Sequence, residues 1–251
     1  MSRVAQNQDR AQEMRSVVVY DQTLFIRFKR SNGQVCRQEL REFSVAPTAK
    51  GMEKALKHFQ GKYRKDGKLI EYSEPGLHYK GFDLDADLIT SMAEDMASGK
   101  NSRDGIATGL FPLTSEEQKK YVFQLKGRDT YRGREVFRIG FKPATNESSE
   151  GTPWAGEALV DVQGYQPVSV TTRLAHGIPL WVKTLLGTDI KQLGFKVEYA
   201  RFDEDLWFPV HYGGEFKVTG VFFYKRTMVV ALDNHDFKRA EVTTSLRADP
   251  Q

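Results

Sequence analysis

A single cysteine, Cys36, is all that the 251-residue chain carries. It excludes an internal disulfide, and nothing near it points to a lowered thiol pKa, so it reads as a packed strand residue. Long apolar runs are missing too: none approaches the roughly 18–20 residues of a membrane-spanning helix. Met1 to Arg15 is polar and charged, without the apolar stretch of a signal peptide. Nor does charge of one sign dominate, since 37 basic against 33 acidic residues leave a net +4. The basic residues are scattered (Arg27, Lys29 and Arg30; Lys62, Arg64 and Lys65; Lys225 and Arg226). Such scatter predicts a solvated surface and no nucleic-acid partner, while weak attraction to anionic membrane head groups is allowed. With no repeat, low-complexity tract or linker-like composition shift, the chain reads as one domain over residues 1–251. Residues 1–15 are expected as a frayed or short helical lead-in and 240–251 as a polar tail.

Catalytic signatures are equally scarce. There is no G-x-S-x-G, H-E-x-x-H, C-x-x-C, Walker loop or G-x-G-x-x-G. Asp83-Leu-Asp-Ala-Asp with Glu94 has calcium-loop spacing, but Leu88 stands where that loop needs glycine, and acidic charge at a helix start explains the run. Asp233-Asn-His-Asp236 gathers possible metal ligands, yet neighbours on an extended chain point opposite ways. His211 and Glu215 flank Gly213-Gly214 and are placed to face each other across a hairpin, as a solvent-side pair. His58, His78 and His176 stand apart. No catalytic residue, metal or cofactor is predicted, and an enzyme assembled from dispersed acids and histidines is the least favoured reading.

What the sequence does have is alternation. Tyr121, Phe123 and Leu125 alternate with polar residues, as do Phe137, Ile139 and Phe141, then Trp154 to Val160, then Val168 to Leu174. Side chains two apart share a face of a strand, so these runs predict half-buried antiparallel strands. Earlier, Val17–Tyr20 with Leu24, Ile26 and Phe28, then Asn32-Gly33 and Val35–Val45, form the clearest hairpin, with Pro47 closing it. Met52–Phe59 is predicted as a short helix and Leu69–Tyr72 as a strand. Asp83–Ser98 is the firmest helix, with Leu84, Leu88, Met92 and Met96 on one stripe; Ser115–Lys119 adds a turn of helix. Further strands are expected around Phe195–Tyr199, Trp207–Tyr212, Glu215–Phe223 and Lys225–Leu232, with Gly213-Gly214 as a tight turn. The fold class is mainly β (α+β): a curved antiparallel half-barrel with a few helices covering its concave face.

Pro179–Gly187 is unusually apolar for a connection. Trp181, Leu185 and Leu186 there are expected either as an ordinary core helix or as a lid over the concave face. Trp154, Trp207 and Phe216 are candidates for the same hydrophobic cavity, with the plain core as the alternative.

The strands also carry a resemblance. Tyr121-Val-Phe-Gln-Leu, Gly133-Arg-Glu-Val-Phe-Arg-Ile-Gly-Phe-Lys-Pro143, Trp154-Ala-Gly-Glu-Ala-Leu-Val-Asp161 and Tyr165-Gln-Pro-Val-Ser-Val170 resemble the sheet of the LolA/LolB outer-membrane lipoprotein-sorting group. Leu206-Trp-Phe-Pro-Val210 and Phe222 to Phe237 resemble the C-terminal part of exported relatives. The resemblance implies an open half-barrel with helices plugging the concave side. It also implies a periplasmic, non-enzymatic carrier without cofactor, holding a lipid, an acyl chain or a lipidated protein. The start has no lipobox cysteine, so a lipid-anchored LolB-like form is not implied. The alternative is a structural or assembly protein of the cell envelope that binds a protein partner through its sheet face or edges.

Overall fold

The computed structural model describes residues 1–48, 51–79, 83–98, 112–144, 154–175, 189–191, 194–203, 206–219 and 224–240. Among these residues three helices, α1 (Ser2–Arg15), α2 (Leu84–Ser98) and α3 (Ser115–Gln118), accompany twelve strands. The first strands are β1 (Val18–Lys29), β2 (Val35–Thr48), β3 (Gly51–Lys65) and β4 (Lys68–Tyr72). Then come β5 (Tyr121–Tyr131), β6 (Arg134–Pro143), β7 (Trp154–Asp161) and β8 (Pro167–Leu174). The last are β9 (Asp189–Lys191), β10 (Lys196–Arg201), β11 (Trp207–Thr219) and β12 (Lys225–Arg239). All join one antiparallel, curved sheet in the order β4-β3-β2-β1-β12-β11-β10-β8-β7-β6-β5, with β9 beside β11. Its ends, β4 and β5, do not pair, so the sheet stays an open half-barrel.

Directly opposed residues of an antiparallel pair share a face, and two adjacent rows show what the alternation achieves. One runs Phe59, Arg41, Leu24, Leu232, Tyr212, Val197, Val170, Ala158, Ile139, Leu125 across ten strands. The next, on the opposite face, runs His58, Glu42, Thr23, Asp233, His211, Glu198, Ser169, Leu159, Arg138. The first row is apolar from Leu24 onward and the second mostly polar. Hydrophobic burial therefore selects the face that takes the helices.

On that inner face lie two clusters. One joins Leu24, Ile26 and Phe28 of β1 with Met228, Val230 and Leu232 of β12, Phe216 and Val218 of β11, and Leu88, Ile89 and Ala93 of α2. The other joins Val136, Ile139 and Phe141 with Ala158, Val160, Val170, Val197 and Trp207, and takes Val4 from α1. Helix α1 buries Val4, Gln8, Ala11 and Arg15, one stripe at helical spacing. The lead-in expected over residues 1–15 is thus a helix packed on the sheet. Asp83 starts α2, its Oδ1 accepting the Ala86 N–H at 3.2 Å. The Thr114 hydroxyl likewise accepts the Glu117 N–H at the start of α3.

Four local expectations are corrected. Met52–Phe59 is not a helix but part of β3, paired along its length with β2, and Pro47 does not close the hairpin but sits within β2 opposite Met52. Gly213-Gly214 is not a turn: β11 runs through it. A Cβ on Gly213 would overlap the Val230 carbonyl, and one on Gly214 the Gly194 carbonyl, so these glycines allow close backbone approach. His211 consequently does not face Glu215. It meets Asp233 of β12 at 2.6 Å, while Glu215 lies 3.9 Å from Lys29. Among the described side chains of α2, Ala86, Leu88, Ile89 and Ala93 are buried. Of the expected stripe, Leu88 is buried and Leu84 half-buried, while the side chains of Met92 and Met96 lie outside those described.

Candidate functional site

The inner face divides into three regions. In the middle, Trp154 meets Phe195 edge-on at 5.7 Å, and Phe195 meets Phe216 at 6.0 Å. Two of the sequence candidates, Trp154 and Phe216, are therefore joined through Phe195. Thr172 holds Phe195 in place, its backbone N–H donating to the Phe195 carbonyl and its hydroxyl accepting the Phe195 N–H. Trp207 stands apart in the second cluster, at the start of β11, where Arg15 donates to its carbonyl at 3.2 Å. Trp181, Leu185 and Leu186 lie outside the described residues. The chain that contains them leaves β8 just beyond Leu174, which is opposite Trp154, and returns as β9 beside Lys217–Thr219.

Toward β4 the same face turns polar. Arg37, Glu39 and Arg41 point inward from β2 and are buried. Glu39 accepts from Arg41 Nε at 2.9 Å and Nη2 at 2.5 Å, and from the Tyr72 hydroxyl at 2.7 Å. The Tyr72 ring occupies the space where Gly61 lacks a side chain. Arg37 donates to the Leu77 carbonyl at 2.8 Å and reaches Asp83 at 3.2 Å. Alongside, Asp85 of α2 accepts from Tyr224 at 2.6 Å and Arg226 at 2.9 Å. Burial, with a neighbouring carboxylate, pushes the Tyr72 and Tyr224 hydroxyls well above the ordinary phenol range, and burial raises the Cys36 thiol. Each carboxylate here is matched by a guanidinium and hydrogen bonds. That arrangement suits a fixed polar plug that ties α2 and the preceding segment to β2.

This plug is the feature that sequence reasoning missed. Arg37, Glu39 and Arg41 alternate with Gln38 and Leu40, a pattern that ordinarily places the charges on the wet face. Only mutual pairing reverses it, and pairing is not written in the spacing.

Toward β5 the face remains apolar to the rim. Phe141 packs against Tyr121 at 5.9 Å, Phe123 is half-buried, and Leu125 is 63% exposed. The outer face carries the histidine pairs: His211 with Asp233, and His235 with Asp236 at 2.8 Å. Among the described residues no group of three His, Cys, Asp or Glu side chains is placed to hold a metal ion. Asp83, Asp85 and Asp87 do not converge: each is engaged elsewhere, with Arg37, Arg226 and His78 respectively. No described helix is long and apolar enough to cross a membrane.

No family model matches the chain, and no curated protein sequence matches it. Solved structures do. The chain is similar to a putative outer membrane lipoprotein-sorting protein domain from Vibrio parahaemolyticus (TM-score 0.38, 11% identity, 93% of this chain and 91% of that one). It is similar to a LolA superfamily protein from Nitrosomonas europaea (0.38, 12%, 95% and 94%). A DUF1329 family protein from Desulfovibrio piger follows (0.35, 12%, 96% and 95%). At these identities the functional reading rests on the chain's own residues.

Proposed function

We propose that this protein is a non-enzymatic binding protein that holds a hydrophobic ligand (a lipid, an acyl chain or a lipidated protein) against the inner face of its open sheet, in the periplasm. The observation that carries the proposal is the apolar row that stays apolar to the unpaired edge, ending at the exposed Leu125. An exposed apolar rim continuous with a core is the usual mark of a surface that something apolar covers. Burial of an acyl chain supplies about 0.8 kcal/mol per methylene, so about ten covered methylenes suffice for micromolar binding. Trp154 and Phe216 would form the floor and Trp207 the wall toward α1. The apolar stretch with Trp181, Leu185 and Leu186 is assigned as cover on its sequence alone.

Native mass spectrometry of the purified protein, followed by solvent extraction, tests this. Stoichiometric fatty acid or phospholipid, or saturable uptake of a fluorescent fatty acid that Leu125→Asp weakens, is the expected result. An empty protein that takes up no fluorescent lipid refutes it. That outcome favours a second reading, an envelope assembly protein that binds a partner at its sheet edges. The edge strand β4 presents Leu69 and Ile70 to solvent, as such a contact requires.

A further inference from the structure

A second concavity lies away from the apolar rim, between α1 and the end of the sheet where β10 and β11 meet. Its volume is about 420 Å³. Helix α1 is fixed over this end by three side chains. Asn7 donates to the Gly164 carbonyl at 2.8 Å, Gln8 to Gln166 at 3.2 Å, and Arg15 to the Trp207 carbonyl. The helix therefore cannot slide, and it presents Arg10 to the cleft. Arg134, at the start of β6, lies over the Trp207 ring, 5.3 Å from its centroid. Arg201, opposite Trp207 in the β10–β11 pair, completes the set, its Nε donating to the Asp203 carbonyl.

Three guanidiniums from three elements thus border one cleft, and among the described residues none of them is paired with a carboxylate. Among the described residues the lining has one acidic group, Asp161, whose Oδ2 accepts the backbone N–H groups of Gln163 and Gly164 at 3.1 and 2.5 Å. Like charges held together without counter-charges raise the local potential and attract anions. Guanidinium groups bind phosphate through paired N–H donors, and the stacking of Arg134 on Trp207 orients its donors in advance. Three arginines against one aspartate leave a local charge suited to a dianion.

We infer that the cleft between α1, the β7–β8 turn and the start of β11 binds a phosphate group through Arg10, Arg134 and Arg201. The phosphate belongs either to a soluble monoester or to a lipid head group. Trp207 borders both this cleft and the proposed hydrophobic site, but the three guanidiniums lie away from the apolar rim at β5, so the inference does not depend on the hydrophobic-ligand proposal.

Titration calorimetry of the whole chain with glycerol 1-phosphate, and co-sedimentation with phosphatidylglycerol and phosphatidylcholine vesicles, test it. The double variant Arg10→Gln/Arg134→Gln is compared with Arg128→Gln/Arg239→Gln, which makes the same change of net charge outside the cleft. Loss of two charge-assisted contacts predicts binding weakened at least about tenfold in the first variant, with little change in the second. Thermal melts establish that both are folded. Saturable glycerol phosphate binding lost in the cleft variant identifies a soluble ester. Vesicle binding alone, lost in the same way, identifies a lipid head group. If neither probe binds, or if both double variants behave alike, the inference is wrong. A phosphate-free fluorescent fatty acid should bind the cleft variant as it binds the native chain, which keeps this result separate from the first proposal.

Discussion

Replacing Glu39 by leucine is the sharpest test of how the polar end of the sheet is held. The Glu39 side chain has 0% exposure and its Arg41 partner 8%, so neither is rescued by water when the other is removed. In Glu39→Leu the Arg41 guanidinium loses both its contacts to Oε2, and the Tyr72 hydroxyl loses its acceptor. Breaking a buried ion pair from one side costs about 3–5 kcal/mol. For a chain of this length that corresponds to a fall in Tm of roughly 6–20 °C. The pair itself is a different matter, since desolvating two charges offsets most of their attraction. The triple variant Glu39→Leu/Arg41→Leu/Tyr72→Phe removes every stranded group and should recover most of the loss. Urea denaturation of the native, single and triple forms, with two probes to establish two-state behaviour, measures this. A single variant that loses less than about 1 kcal/mol, or a triple variant no more stable than the single, would refute the reasoning.

Other outcomes follow from single contacts. Glu198, which accepts from Lys196 at 2.7 Å and Tyr131 at 3.0 Å and pairs with Arg132, has its carboxyl pushed down to about 2 by these bonds against the opposing effect of burial. Its folded pKa lies below the unfolded value of 4.5, so its stabilisation is present above 4.5 and is lost as pH falls toward 2. Glu198→Gln should therefore show a shallower loss of stability across that window, measured by urea melts at pH 7, 4.5 and 3; parallel curves would contradict the assignment. A Cβ at Gly156 would overlap the Thr171 carbonyl and crowd the Phe141 ring, so Gly156→Ala should cost about 1–3 kcal/mol in the same assay. A neutral Gly156→Ala would mean that the β7–β8 pair relaxes freely.

Fold class was legible because the sheet has one dry and one wet face over most of its width. Leu24, Ile26 and Phe28, or Val168 and Val170, declare their face within a few residues, and Asn32-Gly33 declares its turn. The failures fall where a local signal has two structural meanings. Met52–Phe59 is an edge segment, paired with β2 alone among the described residues and largely exposed, so it needs no alternation of its own. Gly213-Gly214 resembles a turn, yet the same absence of side chains serves a strand crossed closely by the Gly194 backbone. Only partners distant in sequence decide between these meanings.

The candidate sites were legible in proportion to how local they are. The apolar row could be anticipated because each strand carries its own share of it. The arginine cleft could not, because Arg10, Arg134 and Arg201 come from a helix and two strand ends, and each alone reads as a solvated charge. What brings them together is the anchoring of α1 through Asn7, Gln8 and Arg15, residues that nothing in the sequence distinguishes from an exposed lead-in. The buried Gln8 and Arg15 are thus the link between fold and cleft. A variant such as Gln8→Ala should loosen α1 and weaken phosphate binding without touching any of the three guanidiniums. If glycerol phosphate binding proved insensitive to Gln8→Ala while hydrogen exchange in α1 rose, the anion site would have to be formed by Arg134 and Arg201 alone.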